Sequence, residues 1–470
     1  MSGSAVALLA FEDRQYSLPE LDARANALAA ALAADGVTAG DRVALMCSNR
    51  PEFVIAVRAV WRLGAVVALI SPAWKRDEVA HALSLAEPRY ALGDQQVLAE
   101  LMPMRHLDDA VPVGSVVDAR PRAEADALLV FSSGTTGLPK AVRHTHDSLR
   151  AAVQHWRDAL GLTAADRMQV MTPPSHILGL LNILTALHVG ARLRLHRRFD
   201  VDVMLRSIEA DRITVEMAVA PIALALAAHP DLESVDLSSL RFIVWGATPV
   251  TAAVAEEVTR RTGVPIVPAY GTSELPVIAC STAGTARLDA VGRPVPGVDV
   301  QVVAPDVEDT GAPLPPGVPG EILARSDSLM AGYLPDEATS EVVRDGWFHT
   351  GDVGYLDGDG WLRITDRCKE MIKVRGFQVA PAEIEAVLHE HPAVADCGVF
   401  GVPDACDGEA VVAAVALRAP VSDTELATLV ADRLASYKRL RRVVIVDEIP
   451  RLPSGKLLRR LLKERLWMSG

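Results

Sequence analysis

The sequence predicts an α/β protein with layered β-α-β sheets, a small β subdomain and a closing α+β module. Three observations carry this. Short apolar runs alternate with alanine- and leucine-rich stretches near the start of the chain and again through residues 140–270, which implies parallel strands joined by right-handed crossovers. Val303 to Gly320 is rich in proline and glycine and reads as turns inside a β subdomain rather than as a linker. Pro381 to Gly470 reads as helix, two strands, helix and strand. At 470 residues the chain is also too long for one ordinary domain.

The elements follow in order. Ser17-Leu18-Pro19-Glu20 has the form of a capping box and opens a helix that stops near Gly36. Arg42 to Cys47 is a candidate strand, Pro51 to Leu63 a helix and Ala65 to Ile70 a second strand. Further strand candidates are Ile213–Val219, Phe242–Trp245 and Pro265–Val267. The uncharged run Met168 to Ala191 is interrupted by Pro173, Pro174, Ser175, His176 and Asn182, so it is not expected to span a membrane.

Composition narrows the function. Half the residues are hydrophobic and 23% are charged, the balance of a globular chain. The net charge is −13 and the basic residues form no long run, which argues against nucleic acid as a partner. Five cysteines lie far apart without a C-x-x-C pair. No zinc site or disulfide framework is expected, and a reducing cytoplasm suits them. The N-terminus shows no secretory pattern.

The chemistry concentrates first in Phe131 to His146, F-S-S-G-T-T-G-L-P-K-A-V-R-H-T-H, which follows an apolar run. Ser132, Ser133, Thr135 and Thr136 supply hydroxyls, Gly134 and Gly137 let backbone N–H groups approach a ligand, and Lys140 adds positive charge. These parts can hold a polyphosphate. The spacing is not that of a Walker loop, and a mobile connector has the same composition. Other segments are open to two readings as well. His176 lies at a strand-to-helix turn and reads first as a hydrogen-bonded histidine near the core. Trp245 reads as a core residue or as a plug that shortens a ligand tunnel. His349-Thr350-Gly351-Asp352 has turn chemistry, the basic cluster near Lys369 could be a solvated loop, and Lys456 could be a plain surface charge.

Taken together these segments resemble the adenylate-forming superfamily of acyl-CoA synthetases, peptide-synthetase adenylation domains and beetle luciferases, most of all the acyl- or aryl-CoA synthetases. S-S-G-T-T-G-L-P-K resembles its phosphate loop. Downstream come W-G-A-T-P at Trp245, Y-G-T-S-E at Tyr270, H-T-G-D ending at Asp352, the junction from Ile364 to Glu385, and P-R-L-P-S-G-K ending at Lys456. The likeness runs from about Leu18 to Arg460.

The resemblance implies two domains, residues 1–366 binding ATP and acid, and a mobile domain 367–470 turning on Lys369. It implies that Ser132 to Gly137 and Lys140 hold phosphates, and that Gly246, Ala247 and Thr248 wall the adenine. Tyr270 would stack on adenine, with Gly271, Thr272 and Ser273 bringing a hydroxyl to the α-phosphate, and Glu274 with Thr136 would hold Mg²⁺. Asp352 and Arg367 would grip the ribose, and Gly376 would line the path of a pantetheine arm. Lys456, Lys373, Gln378 and His176 would face the reacting groups, Lys456 as the principal catalytic residue. His176 stands where amino-acid-activating members carry an aspartate, which disfavours an amino acid substrate.

The implied enzyme is an acid–thiol ligase that uses ATP, Mg²⁺ and CoA to convert a fatty or aryl acid, through acyl-AMP, to acyl-CoA. The alternative acceptor is the phosphopantetheine of a carrier protein.

Overall fold

Parallel strands with helices between them dominate the chain, as the alternating pattern requires. The computed structural model describes residues 7–111, 122–132, 139–247, 252–304, 311–367, 370–374, 377–404, 408–434, 436–451 and 457–467. Two compact units emerge. One holds residues 1–218, 222–299 and 324–348; the other holds 219–221, 300–323 and 349–470.

The first unit contains two large sheets. In the seven-stranded sheet, Arg42–Met46 lies between the parallel strands Val66–Leu69 and Tyr90–Gly93. The helix Pro51–Arg62 connects the first pair, so the expected β-α-β unit is present. The preceding helix, Leu18–Ala34, starts on the expected capping box: Ser17 N–H donates to the Glu20 carboxylate at 2.7 Å, and Glu20 N–H donates to Ser17 Oγ at 3.4 Å. Met46, Ile70, Leu129, Phe131 and Ala141 pack with Val79 and Ala82 into a dry core. Burying each of the larger side chains contributes about 1.5–3 kcal/mol.

The nine-stranded sheet places Val215–Ala218, Phe242–Trp245 and Ile266–Tyr270 side by side in parallel. Trp245 is 1% exposed, so it is a core residue of its strand. Inside the same sheet, the Glu216 carboxylate accepts the Gln169 amide, whose oxygen meets His196 Nε2 at 2.8 Å. Burial pushes Glu216 up to about 8 and His196 down to about 4. Both are therefore neutral at pH 7, and a charge-free chain of hydrogen bonds crosses three strands.

The second unit carries the antiparallel strands Trp347–Leu356 and Leu362–Arg367, within a five-stranded sheet. The turn chemistry around Asp352 is realised inside the first of these strands. Gly351 takes the left-handed φ of 69° there, and the ladder slips one residue between Val353 and Gly354. Cross-strand pairing thus absorbs a kink that local sequence reads as a turn. The C-terminal module follows the expected order, with helix Pro381–His389, strands Val394–Asp404 and Gly408–Leu417, helix Asp423–Arg433 and strand Leu440–Val446. It adds an unexpected hairpin, Ile372–Val374 with Phe377–Val379, and a last helix, Arg459–Trp467. That helix is charged along most of its length, and one anchor, Leu462, inserts beside Phe400 and Val412. Among the described residues no helix is long and apolar enough to cross a membrane.

The Glu216 chain has a measurable consequence. An unfolded glutamate ionises near 4.5 and the folded Glu216 near 8, so the folded state holds the extra proton between those values. Its contribution to stability is full below 4.5 and falls as pH rises toward 8, by about 1.4 kcal/mol per unit. Glu216→Gln removes this dependence. The melting temperature of the variant minus that of the wild type should climb from pH 5 to pH 8 and then level off. A difference independent of pH would show that Glu216 does not titrate in this way.

Candidate active site

The glycine-rich stretch begins and ends on one hairpin. Asp126–Ser132 and Lys140–Thr145 pair antiparallel, with Ser132 opposite Lys140, so both ends of the phosphate-loop sequence leave one rung of the ladder. Ser133, Gly134, Thr135, Thr136 and Gly137 lie outside the described residues. His81 Nε2 holds the loop's exit at the Pro139 carbonyl, 2.9 Å away.

A second group of site residues sits at the carboxyl ends of adjacent parallel strands, where ligand crevices of α/β sheets form. Phe242–Trp245 delivers Gly246 and Ala247, and Ile266–Tyr270 delivers Tyr270 beside them. Gly246 N–H donates to Ala218 O at 3.3 Å, which fixes the strand end. Ala247 adopts a left-handed φ of 63°, an uncommon conformation for a residue with a Cβ and one that clusters at functional sites. Thr248 lies outside the described residues.

Tyr270 leads into a tight turn. Thr272 Oγ1 accepts from Glu274 N–H at 3.2 Å and from Leu275 N–H at 3.0 Å, so its oxygen fastens the turn. A Cβ on Gly271 would lie 2.1 Å from Pro276 O, and only glycine fits. The Ser273 carbonyl accepts from His144 Nε2 at 2.8 Å. Burial lowers His144 to about 4, so the ring is neutral, donates from Nε2 and leaves Nδ1 to Ser148 Oγ at 3.2 Å. His144 thereby ties the Lys140 strand to the Y-G-T-S-E turn.

Glu274 is 9% exposed and makes no ion pair among the described residues. Its side-chain partner is the Tyr333 hydroxyl, which donates to Oε1 at 2.7 Å. A nearly buried carboxylate met by one neutral donor calls for a cation. Magnesium, which prefers hard oxygen ligands and takes few from protein when it travels with a nucleotide, fits it. No group of three or more acidic, histidine or cysteine side chains that could cage a metal occurs among the described residues. Lys140 Nζ stands 5.2 Å from the Tyr333 ring centroid and 3.4 Å from the exposed Glu341 carboxylate.

His176 precedes the helix Ile177–Val189 as its N-cap, in extended conformation and without a side-chain capping bond. Among the described residues its ring has no hydrogen-bond partner, and the residue is exposed rather than seated in the core. Desolvation by the protein around it lowers its pKa below the ordinary histidine value. The helix is seated by Gly179, where a Cβ would lie 2.4 Å from Pro173 O.

The second unit brings together two further pairs. Asp352, 4% exposed, receives Arg367 Nε at 3.0 Å, and the two are cross-strand partners. Lys373 is exposed and faces Gln378 across its hairpin. Gly376 and Lys456 lie outside the described residues. The sequence reading missed Tyr333 and His144. His144 falls inside the stretch already singled out, whereas Tyr333 follows a glycine in an otherwise unremarked M-A-G-Y-L segment.

Known proteins share this arrangement. The AMP-binding enzyme family matches residues 2–334, and the AMP-binding enzyme C-terminal domain matches residues 383–456. The chain belongs to the AMP-binding enzyme family. A 4-coumarate–CoA ligase 1 of Solanum tuberosum is 33% identical, covering 97% of this chain and 89% of the relative. The o-succinylbenzoate CoA synthetase of Bacillus subtilis with its acyl-adenylate superposes with a TM-score of 0.89 at 31% identity, covering 98% of this chain and 95% of that one. The same synthetase with ATP and magnesium ion gives a TM-score of 0.89 at 30% identity, covering 98% and 97%. As an AMP-binding enzyme the protein is an acid–thiol ligase: it activates a carboxylic acid with ATP and Mg²⁺ as acyl-AMP and passes the acyl group to CoA.

Among the site residues, Gly271 faces a tight geometric demand, with the Pro276 carbonyl oxygen 2.1 Å from where its Cβ would stand. Gly271→Ala must push the strand end away from Pro276, and overpacking of this kind costs about 1–3 kcal/mol. A lowered melting temperature with a weakened response to ATP is expected. Unchanged melting would show that the turn has room the geometry does not show.

Proposed function

We propose that the acid is aromatic and that the site residues named above divide the two half-reactions between them. The observation that carries the substrate reading is the match to a named aryl-acid CoA ligase over 97% of the chain. His176 supports it from within, because a neutral imidazole at the start of the helix offers an ammonium group no countercharge.

In the first half-reaction a carboxylate oxygen attacks the α-phosphorus of ATP, the bond to the β-phosphate oxygen breaks, and pyrophosphate leaves. The protein needs no nucleophile for this; it aligns the reactants and stabilises charge on the phosphoryl oxygens. Ser132, Ser133, Gly134, Thr135, Thr136, Gly137 and Lys140 hold the departing phosphates. Gly246, Ala247, Thr248 and Tyr270 enclose the adenine. Thr272 or Ser273 donates a hydroxyl to the α-phosphate; Thr272 Oγ1 accepts two N–H groups in the turn and keeps its O–H proton to give. Asp352, oriented by Arg367, accepts the ribose hydroxyls. Glu274 and Thr136 hold Mg²⁺, which neutralises phosphate charge when bound, and Lys456 adds a positive charge at the reacting phosphate. In the second half-reaction a thiol adds to the acyl carbonyl and AMP leaves, with Lys373, Gln378 and Gly376 on the side of the thiol.

We place the functional boundary at residues 366 and 367, with Lys369 as the hinge about which the smaller domain exchanges Lys456 for the thiol path. A cytoplasmic setting accords with Cys47, Cys280 and Cys397, which are buried free thiols. A carrier protein is the less favoured acceptor.

Mass spectrometry of the protein with ATP, Mg²⁺ and a panel of cinnamate-like, benzoate-like and aliphatic acids, with and without CoA, tests the substrate. An aromatic acyl-AMP that converts to acyl-CoA is expected; conversion of aliphatic acids alone would overturn the reading. For the division of labour, Lys456→Ala should slow adenylation by about 10²–10³-fold, the usual loss on removing one charge-stabilising donor. It should keep most thioester formation from supplied acyl-AMP, and equal losses in both half-reactions would refute the exchange.

A further inference from the structure

Tyr333 belongs to a three-residue strand, Gly332–Leu334, that pairs antiparallel with Lys140–Thr145, placing Tyr333 opposite Val142 and Leu334 opposite Ala141. Lys140 is therefore the diagonal neighbour of Tyr333 on the same face, within reach of an aromatic ring. The residues just before the strand bind both partners of the site. Met330 N–H donates to Glu274 O at 2.8 Å, and Ala331 N–H donates to Arg143 O at 2.8 Å. Tyr333 N–H is held in turn by Thr339 Oγ1 at 2.9 Å. The ring is 6% exposed, so its position is set on all sides.

What that position does follows from the two atoms it presents. The hydroxyl donates a hydrogen bond to Glu274 Oε1, and this one bond fixes the rotation of a carboxylate that has no ion pair among the described residues. Oε2 is left for a metal. The ring face lies under the Lys140 ammonium, whose other partner, Glu341, is exposed and 3.4 Å away. An exposed ion pair of that length is weak, so the ammonium is free to turn to a phosphate while the ring keeps it in place.

We propose that Tyr333 is a positioning residue for nucleotide and metal together, its hydroxyl orienting Glu274 toward Mg²⁺ and its ring seating Lys140 for the phosphates. This rests on the reading of Glu274 as the magnesium ligand. Removing a partner that orients a metal ligand commonly costs about 10–100-fold in metal affinity.

The test is calorimetric and needs no acid substrate. ATP binding is measured with and without Mg²⁺ for the wild type, Tyr333→Phe, Tyr333→Leu, Glu274→Gln and the double variant Tyr333→Phe/Glu274→Gln, and melting is recorded for each. In Tyr333→Phe, about a tenfold or greater loss of the Mg²⁺-dependent part of ATP affinity is expected, with metal-free ATP binding unchanged. Tyr333→Leu should also weaken metal-free binding, because Lys140 loses its seat. The double variant should lose no more than Glu274→Gln, since the two act as one unit. Wild-type metal dependence in Tyr333→Phe overturns the proposal, as does a lower melting temperature with that dependence intact. If Glu274→Gln shifts the dependence and Tyr333→Phe does not, the ligand reading stands and the role of Tyr333 falls. If Glu274→Gln does not shift it either, both fall.

Discussion

A three-residue strand, Gly332–Leu334, joins the strand that begins at Lys140 to the turn that carries Glu274. It adds to the edge of the hairpin that carries Lys140 and, through Met330 and Tyr333, grips Glu274 by backbone and side chain at once. An aromatic ring lies beside the Lys140 ammonium and its phenol restrains the Glu274 carboxylate, so one side chain touches two groups of opposite charge. His144 makes the same connection from the other side, through the Ser273 carbonyl. The turn that follows Tyr270 is thus fastened to the phosphate-loop strand at two points, and the chain around it has little freedom left.

The protein removes charge where it would be costly. Glu216, His196 and His144 are deeply buried and shifted toward their neutral forms. Asp366, beside Arg367 in sequence, is pushed up to about 6 by burial, with Arg459 opposing the shift. Its carboxylate accepts the backbone N–H groups of Ala382 at 2.9 Å and Arg367 at 2.7 Å, which offsets part of the burial cost. Asp352 and Arg367, by contrast, are an ion pair at the same rungs of the ladder.

Much of this was legible because local chemistry and final structure agree. The Ser17 capping box, the strands Arg42–Met46 and Phe242–Trp245, and the helix Pro51–Arg62 each follow from a pattern within a few residues. The family resemblance supplied the candidate site residues, since its motifs are contiguous, and several of these, Lys456 among them, lie outside the described residues. What escaped depends on distant partners. The Tyr333 hydroxyl meets a residue 59 positions away, and no period or motif length spans that gap. Asp352 sits in turn-like sequence but is drawn straight by a strand partner. The last helix has too few apolar positions to announce itself, and forms because Leu462 finds a place beside Phe400.

The segment that carries Lys456 is held at both flanks. Arg451 binds Asp396 through two hydrogen bonds of 2.8 and 2.7 Å, and it bridges to Leu457. Leu458 N–H returns to Pro450 O at 3.0 Å. Arg459 grasps both Glu385 oxygens at 2.9 and 2.8 Å, with Glu370 on its other nitrogen. Both flanks of residues 452–456, which themselves lie outside the described residues, are thus anchored to the C-terminal module. Glu370, which shares Arg459 with Glu385, immediately follows the proposed hinge lysine. The guanidinium that fixes the end of the lysine segment therefore also binds the residue next to the pivot, so the two are connected by side chains as well as by the chain. A domain exchange between half-reactions requires that connection, since a lysine loosely attached to its domain would gain nothing from the rotation.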